Sequence, residues 1–274
     1  MRIRFPLYLG IRNLFGRRGR ASAHLLGSIL AIGLSLVPLI LVLEVADGMI
    51  EGITRRYLEV GTYHAQVVLP PEFGEQEVDG LQELLRSRPG VRLAIEERQG
   101  LGLVYTSAGR TAVTIRSVPA GLYAEDEGFR RYFRLESGSF DLGGAGSILL
   151  GREVAQRLGA GPGDRVRLLV LRRAGGRRQV PVTAAFRVTG VFSTGYQELD
   201  KMWVYIPLAS SERLLAGGGA ARFIGIKLEE PFAGLKAQLE RLREVLPPQT
   251  EIYSWYELEK ANYKSFQTVS YTHL

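Results

Sequence analysis

The stretch Ala21-Ser22-Ala23-His24-Leu25-Leu26-Gly27-Ser28-Ile29-Leu30-Ala31-Ile32-Gly33-Leu34-Ser35-Leu36-Val37-Pro38-Leu39-Ile40-Leu41-Val42-Leu43 holds no Asp, Glu, Lys or Arg. As a helix rising ~1.5 Å per residue it is about 34 Å long, enough to cross a bilayer core of ~30 Å. Only His24 can ionise, and it lies near one end. One charge at the centre would cost roughly 2.5–3.5 kcal/mol on insertion scales. Residues 21–45 are therefore expected to form a transmembrane helix.

The flanks orient it. Arg2, Arg4, Arg12, Arg17, Arg18 and Arg20 precede the run with no acid among them, and Glu44, Asp47 and Glu51 follow. The positive-inside rule puts the N-terminus in the cytoplasm and the chain after about Val45 outside. A core helix of a soluble protein is rarely this long. A cleaved signal peptide has an apolar region of ~7–15 residues with a small-x-small site behind it, which Val45-Ala46-Asp47 does not provide. A lipoprotein signal is excluded, because the chain has no cysteine to acylate.

The 274-residue chain has a formal net charge of +7. The arginines of residues 1–20 supply +6 of it, leaving +1 on the rest. Nucleic-acid binding needs a basic face on the folded body and is disfavoured. The basic arm reads as a topology signal in contact with anionic lipid headgroups. Phe5, Leu7, Leu9, Ile11, Leu14 and Phe15 give it an apolar side, so residues 1–20 are expected to lie as a short helix in the cytoplasmic interface. Within the membrane run, Ala23, Gly27, Ala31 and Ser35 recur every four positions and form one small-residue face on which another helix can pack.

Beyond the membrane the period changes. A helical continuation over 48–59 leads to a strand at Tyr63–Leu69. A helix through Val78, Leu81, Leu84 and Leu85 is stopped by Pro89-Gly90, and strands follow at 91–94, 102–106 and 111–118. The same strand–helix–strand pattern returns at 223–228, 232–245 and 250–253. The two halves, 46–119 and 209–262, suggest an α+β fold with a split ferredoxin-like layer. Between them, 120–208 is rich in glycine and turns and reads as an inserted β-rich subdomain. There Ile148-Leu149-Leu150-Gly151 leads into a helix over 152–158 that Gly159 ends in a left-handed cap. Gly161-Pro162-Gly163-Asp164 turns into a strand over 166–171, and 172–179 forms a hairpin tip.

No catalytic pattern is present. The chain has no phosphate-binding G-x-x-x-x-G-K-[ST] loop and no Gly-x-Ser-x-Gly. His24, His64 and His273 stand alone, without carboxylates at metal-ligand spacing. The acid pairs Glu96-Glu97 and Glu229-Glu230 are expected to be solvated surface. The sequence indicates a non-enzyme with no cofactor and no metal.

Two segments carry a resemblance. Leu149-Leu150-Gly151-Arg152-Glu153-Val154-Ala155, then Leu158-Gly159 and Gly163-Asp164, resemble the "LLG-ELA-LG---GD" pattern of bacterial transporter permeases. Val188-x-Gly190-Val191-Phe192-Ser193-Thr194-Gly195-Tyr196-x-Glu198-x-Asp200, followed by Tyr205-Ile206-Pro207-Leu208, is similar to their "VxGxFxTGYxExD" stretch. The pattern resembles permease subunits of lipoprotein-releasing ABC transporters of the LolC/LolE type, relatives of MacB-like permeases. The resemblance implies a non-hydrolytic subunit of the bacterial inner membrane with a periplasmic main domain. Its implied partners are a cytoplasmic ABC ATPase, a second permease (itself or a paralogue), membrane lipid, lipoprotein cargo and a periplasmic carrier. In the family one permease captures the carrier with a β-hairpin hook; the matching hairpin here carries Arg172, Arg173, Arg177 and Arg178. A MacB-like export permease and a single-span adaptor are the alternatives. The family continues into three more membrane helices, so 263–274 is expected to be a truncated end, with 269–274 non-native.

Overall fold

The computed structural model describes residues 23–173, 179–215, 220–232 and 234–258. The interfacial helix expected over 1–20, residues 174–178 of the hairpin tip expected over 172–179, and the end from 259 onward lie outside them. The chain divides into two compact units, Met1–Arg55 and Arg56–Leu274.

The first unit is built on α1, a helix of 35 residues over Ala23–Tyr57 whose last two residues belong to the second unit. It is long and apolar enough to cross a membrane, and its side chains from Gly27 to Ile50 are exposed within the chain. Pro38 is accommodated inside it.

In the second unit a π-helical turn, Leu58–Thr62, is followed by β1 (Ala65–Val68), α2 (Glu75–Arg86), β2 (Val91–Tyr105), β3 (Arg110–Val118), α3 (Leu122–Glu125), α4 (Glu127–Tyr132), β4 (Arg134–Gly138) and β5 (Ser147–Gly151). Then come α5 (Arg152–Leu158), β6 (Arg165–Arg173), β7 (Gln179–Ser193), α6 (Gln197–Asp200), β8 (Trp203–Pro207), α7 (Leu208–Leu214), β9 (Ala221–Leu228), α8 (Leu235–Arg243), β10 (Glu251–Ser254) and α9 (Trp255–Leu258).

The units β1–α2–β2 and β9–α8–β10 form an antiparallel sheet in the order β10-β1-β9-β2. This is the ferredoxin-like order, with β3 to α7 inserted between its second and third strands. Strand alternation sends Ile224, Ile226 and Leu228 to one face, where they pack on Val78, Leu81 and Leu85 of α2 and Leu239 and Leu242 of α8. The 3.6-residue period of α2 supplies that apolar stripe, and its first turn is closed by the Gly74 N–H donating to Glu77 Oε2 at 2.8 Å. Phe223, Gly225 and Lys227 point to the opposite face.

A second body is a closed ring. β2 pairs β3, β3 pairs β8, β8 pairs β5, β5 pairs β7, β7 pairs β6, and β6 returns to β2. Val104, Ile115, Leu150, Leu168, Phe186 and Val204 fill it, and Val154 and Leu158 of α5 pack into the same core. Helix α5 ends where the sequence indicated, at Gly159 with φ +56°. Asp164 Oδ2 accepts the Gly161 N–H at 2.8 Å to form the turn into β6.

The ring takes two strands, β2 and β3, from before residue 120. The reason is β2 itself. The sequence suggested two strands, 91–94 and 102–106, because Glu96 to Gly100 interrupt the apolar pattern. They form one strand of 15 residues. Its first part pairs β9 in the ferredoxin layer and Leu103–Tyr105 pair β6 in the ring. β7 likewise begins at Gln179, inside the segment expected to form the hairpin tip.

An aromatic cluster fills the remaining core. Phe133 stacks on Phe192 with centroids 4.5 Å apart and on Phe129 at 4.6 Å, and Tyr205 meets all three edge-on. Val60, Leu93, Ile95 and Trp203 belong to the same cluster. It covers the face of the ferredoxin sheet that α2 and α8 leave open.

Candidate functional site

The π-helical turn 58–62 is buried throughout. A helix end leaves carbonyls without intrahelical donors. Two of those carbonyls are met here by buried cations. Lys227 Nζ donates to the Glu59 carbonyl at 2.6 Å, and Arg116 Nη1 donates to the Val60 carbonyl at 2.5 Å. Cations at a helix C-terminus are also favoured by its dipole.

Each cation is held by its own carboxylates. Lys227 Nζ lies 2.8 Å from Glu59 Oε2 and also pairs with Asp126. Asp126 in turn caps α4 by accepting the Phe129 N–H at 3.1 Å. Arg92 adds a 2.8 Å bond to Glu59 Oε2 from the half-exposed side. Arg116 forms a bidentate pair with Glu97, Nε to Oε1 at 2.6 Å and Nη2 to Oε2 at 2.7 Å. Its guanidinium lies 4.4 Å from the Trp203 ring centroid and 5.3 Å from that of Tyr205. Burial alone would lower the Arg116 pKa, but the Glu97 charge outweighs it and keeps the cation firmly protonated. Burial likewise pushes Glu59 up. The His64 and Lys227 contacts and the Arg92 charge overcome that and hold Glu59 well below the usual carboxylate range. Glu59, Asp126 and His64 would resemble a cation site, but the Lys227 ammonium already stands between the carboxylates.

The acid pair Glu96-Glu97 is thus not solvated surface. Glu97 is fully buried and Glu96 nearly so. Glu96 Oε1 accepts from Arg98 Nε at 3.1 Å and Arg222 Nε at 2.7 Å, on the opposite face of β2 from Glu97. Both faces of β2 are covered, so adjacent acids are both enclosed. Glu229 and Glu230 are exposed.

Tyr63 follows the turn with φ +62° and ψ 177°, the one non-glycine residue with positive φ among those described. Such a conformation costs of order 1–3 kcal/mol and persists only where the surroundings dictate it. Here they do. The Tyr63 ring lies on Gly225, where any Cβ would come within 2.5 Å of it, and its hydroxyl donates to Glu97 Oε2 at 2.7 Å. Tyr63 thereby joins the two charge networks, since Lys227 Nζ is 5.8 Å from its ring centroid.

His64 closes the site. Its Nδ1 accepts the Leu228 N–H at 2.7 Å, and Nε2 faces Glu59 Oε1 at 3.7 Å. Burial lowers its pKa, and the Lys227 and Arg92 charges add to this against the opposing pull of Glu59. A histidine kept neutral in the fold takes up a proton more readily when unfolded. Its penalty therefore grows as pH falls below about 6.5. The expected result is that the melting temperature of the chain in detergent micelles drops between pH 7 and 5. In His64→Asn that interval should be flatter. A wild-type profile as flat as the variant's would contradict the assignment.

The segment Ser193–Asp200, read as a motif, forms a second seat for the same region. Asp200 is buried and accepts from Ser193 Oγ at 2.7 Å and from Thr194 N and Oγ1 at 2.8 and 2.7 Å. Gly195 turns the chain with φ +76°. Tyr196 is thereby set edge-on to Tyr57, centroids 6.4 Å apart, and Arg56 lies 5.5 Å from the Tyr132 ring.

The other residues singled out in the sequence do not converge on one site. A Cβ at Gly151 would come 2.4 Å from the Asp200 carbonyl, and one at Gly190 2.7 Å from the Ser139 carbonyl, so both serve close backbone approach. Gly163 has φ +96°. Ala23, Gly27, Ala31 and Ser35 all lie on α1, and Ser35 Oγ donates back to the Ile32 carbonyl at 2.8 Å. Arg172 is half-buried near the end of β6, and Arg173 ends that strand. Arg177 and Arg178 lie outside the described residues. Sequence reasoning missed Lys227, Arg116 and Asp126. The available signal was a lone Lys inside the apolar run 223–228 and a lone Arg inside 111–118.

The family model described as the MacB-like periplasmic core domain matches residues 25–242. The chain belongs to this family, and through it to the MacB/FtsX permease superfamily of ABC-type transporters, whose membership implies an ATPase partner and a permease partner. It is a membrane-anchored protein with an extracellular domain. Among solved structures it is similar to the periplasmic region of MacB from Actinobacillus actinomycetemcomitans, at 13% identity and TM-score 0.45, over 75% of this chain and 94% of that one. It is also similar to the extracellular domain of the noncanonic ABC-type transporter YknZ from Gram-positive bacteria, at 14% identity and TM-score 0.42, over 68% and 91%. No curated protein matches the chain.

Proposed function

We propose that this chain is a permease subunit that moves lipoproteins from the bacterial inner membrane toward the periplasm, driven by a separate cytoplasmic ATPase, with no hydrolytic chemistry of its own. The N-terminus is cytoplasmic and the outer unit periplasmic. The observation that carries a permease role is the charge-clamped turn 58–62. An uninterrupted helix enters it, and Lys227 and Arg116 tie its carbonyls to the outer sheet. Such a joint suits a subunit in which displacement of a membrane helix must become displacement of an outer domain. The lipoprotein cargo is supported by the likeness of 149–164 and 188–208 to the LolC/LolE pattern. Ala23, Gly27, Ala31 and Ser35 would face the second permease.

The test is reconstitution of the transporter containing this chain with its ATPase in proteoliposomes loaded with a triacylated lipoprotein. ATP-dependent transfer of the lipoprotein to a soluble carrier is expected. Transport of small amphiphiles without lipoprotein release would replace this reading with MacB-like export. Carrier capture by the hairpin is tested separately by reversing Arg172, Arg173, Arg177 and Arg178; unchanged carrier affinity would refute it.

A further inference from the structure

Around Tyr105, the outward positions of β2, β3, β6 and β7 among the described residues carry four arginines and no Asp or Glu. Register places the face: Tyr105 pairs with Arg110 on β3 and with Arg167 on β6, and Arg165 stands directly opposite Arg187 on β7. All four arginines are exposed, and none has an ion-pair partner among the described residues. Between them lie the small Ala112 and Ala185. Arg165 facing Arg187 is a cross-strand like-charge pair, which works against the strand pairing rather than for it. The rest of the chain after residue 20 is nearly neutral, so this concentration is local. Farther along the same strands the face turns apolar. Leu103 pairs with Leu169, and beyond them Leu101 and Leu171 are 76% and 54% exposed. At ~3.3 Å per residue the leucine row begins only about 7 Å from the arginine row.

We propose that this face docks an acidic, leucine-compatible surface of a partner protein, with the leucines in the apolar centre and the arginines pairing with carboxylates at the rim. Arginine and exposed aliphatics side by side are what the edge and centre of a protein interface use, and a guanidinium donates two parallel N–H bonds to a carboxylate. A layer of anionic headgroups would also pair with the arginines, so vesicle capture is kept below as an outcome of the test. Arg165 and Arg187 stand at the opposite end of β6 and β7 from Arg172, while the leucine row runs up to Arg172 and shares a cavity with it; the inference stands whether or not the cargo is a lipoprotein.

The probe is a fluorescent amphipathic peptide of alternating glutamate and leucine faces, titrated onto the full chain in neutral detergent micelles. Binding is expected to weaken at least tenfold in Arg165→Glu and several-fold in Leu101→Ser. Arg165→Glu should keep or raise the melting temperature, because it gives Arg187 a partner; Arg165→Gln is the control should it not. Three results would overturn the proposal: unchanged binding in both arginine variants, equal binding of the peptide with glutamine in place of glutamate, or capture of the nanodisc-embedded chain by phosphatidylglycerol vesicles through these arginines without peptide binding.

Discussion

Lys227→Met is expected to lower the unfolding free energy of the outer unit by about 3–5 kcal/mol, the cost of removing one partner from a buried ionic group. Lys227 has no exposed surface, and its ammonium serves Glu59 and Asp126 together with the Glu59 carbonyl. Methionine keeps the packing of the stem and removes the charge. Two carboxylates and a helix-end carbonyl then stay buried without their cation. Arg92 offsets part of this, because it reaches Glu59 at 2.8 Å and Asp126 at 3.8 Å. Adding Glu59→Gln and Asp126→Asn to Lys227→Met should recover at least half the loss. Thermal unfolding of the full chain in micelles, followed by tryptophan fluorescence, reads both effects. A single variant as stable as wild type would show that Lys227 is not holding the turn.

Glu97→Gln is expected to cost a similar amount, about 3–5 kcal/mol, because the fully buried Arg116 loses its counter-charge. For a domain of this size that corresponds to a fall of roughly 10 °C in melting temperature. The Tyr63 hydroxyl loses a charged acceptor as well. Adding Arg116→Met removes the uncompensated cation, so the double variant should be more stable than Glu97→Gln alone. That ordering separates a broken ion pair from simple loss of packing, which would make the double variant worse.

The parts of the fold legible in the sequence rest on local physics. The membrane helix follows from an uncharged run with arginines on one side. The ferredoxin layer follows from strand and helix periods that recur near both ends of the outer region. The bounds of α5 follow from Gly151 and Gly159. The ring closure was not legible, because β2 pairs with β6 some 64 positions away and neither segment announces the other. The joint was hidden for a different reason. Glu59, Glu97, Arg116 and Lys227 look like surface residues singly, and burial becomes affordable only when the fold brings opposite charges together. The 193–200 motif was visible as a pattern, yet its role in presenting Tyr196 to Tyr57 appears only in three dimensions.

The account turns on whether the turn that ends α1 is fastened to the outer sheet by charge. Native-state hydrogen exchange over residues 57–64, compared with β9 in wild type and in Lys227→Met, addresses this directly. In wild type the amides of the turn should exchange as slowly as those of β9. In the variant the turn should open at least a hundredfold more often while β9 remains protected. Fast exchange of the turn in wild type, or equal loosening of turn and strand, would contradict it.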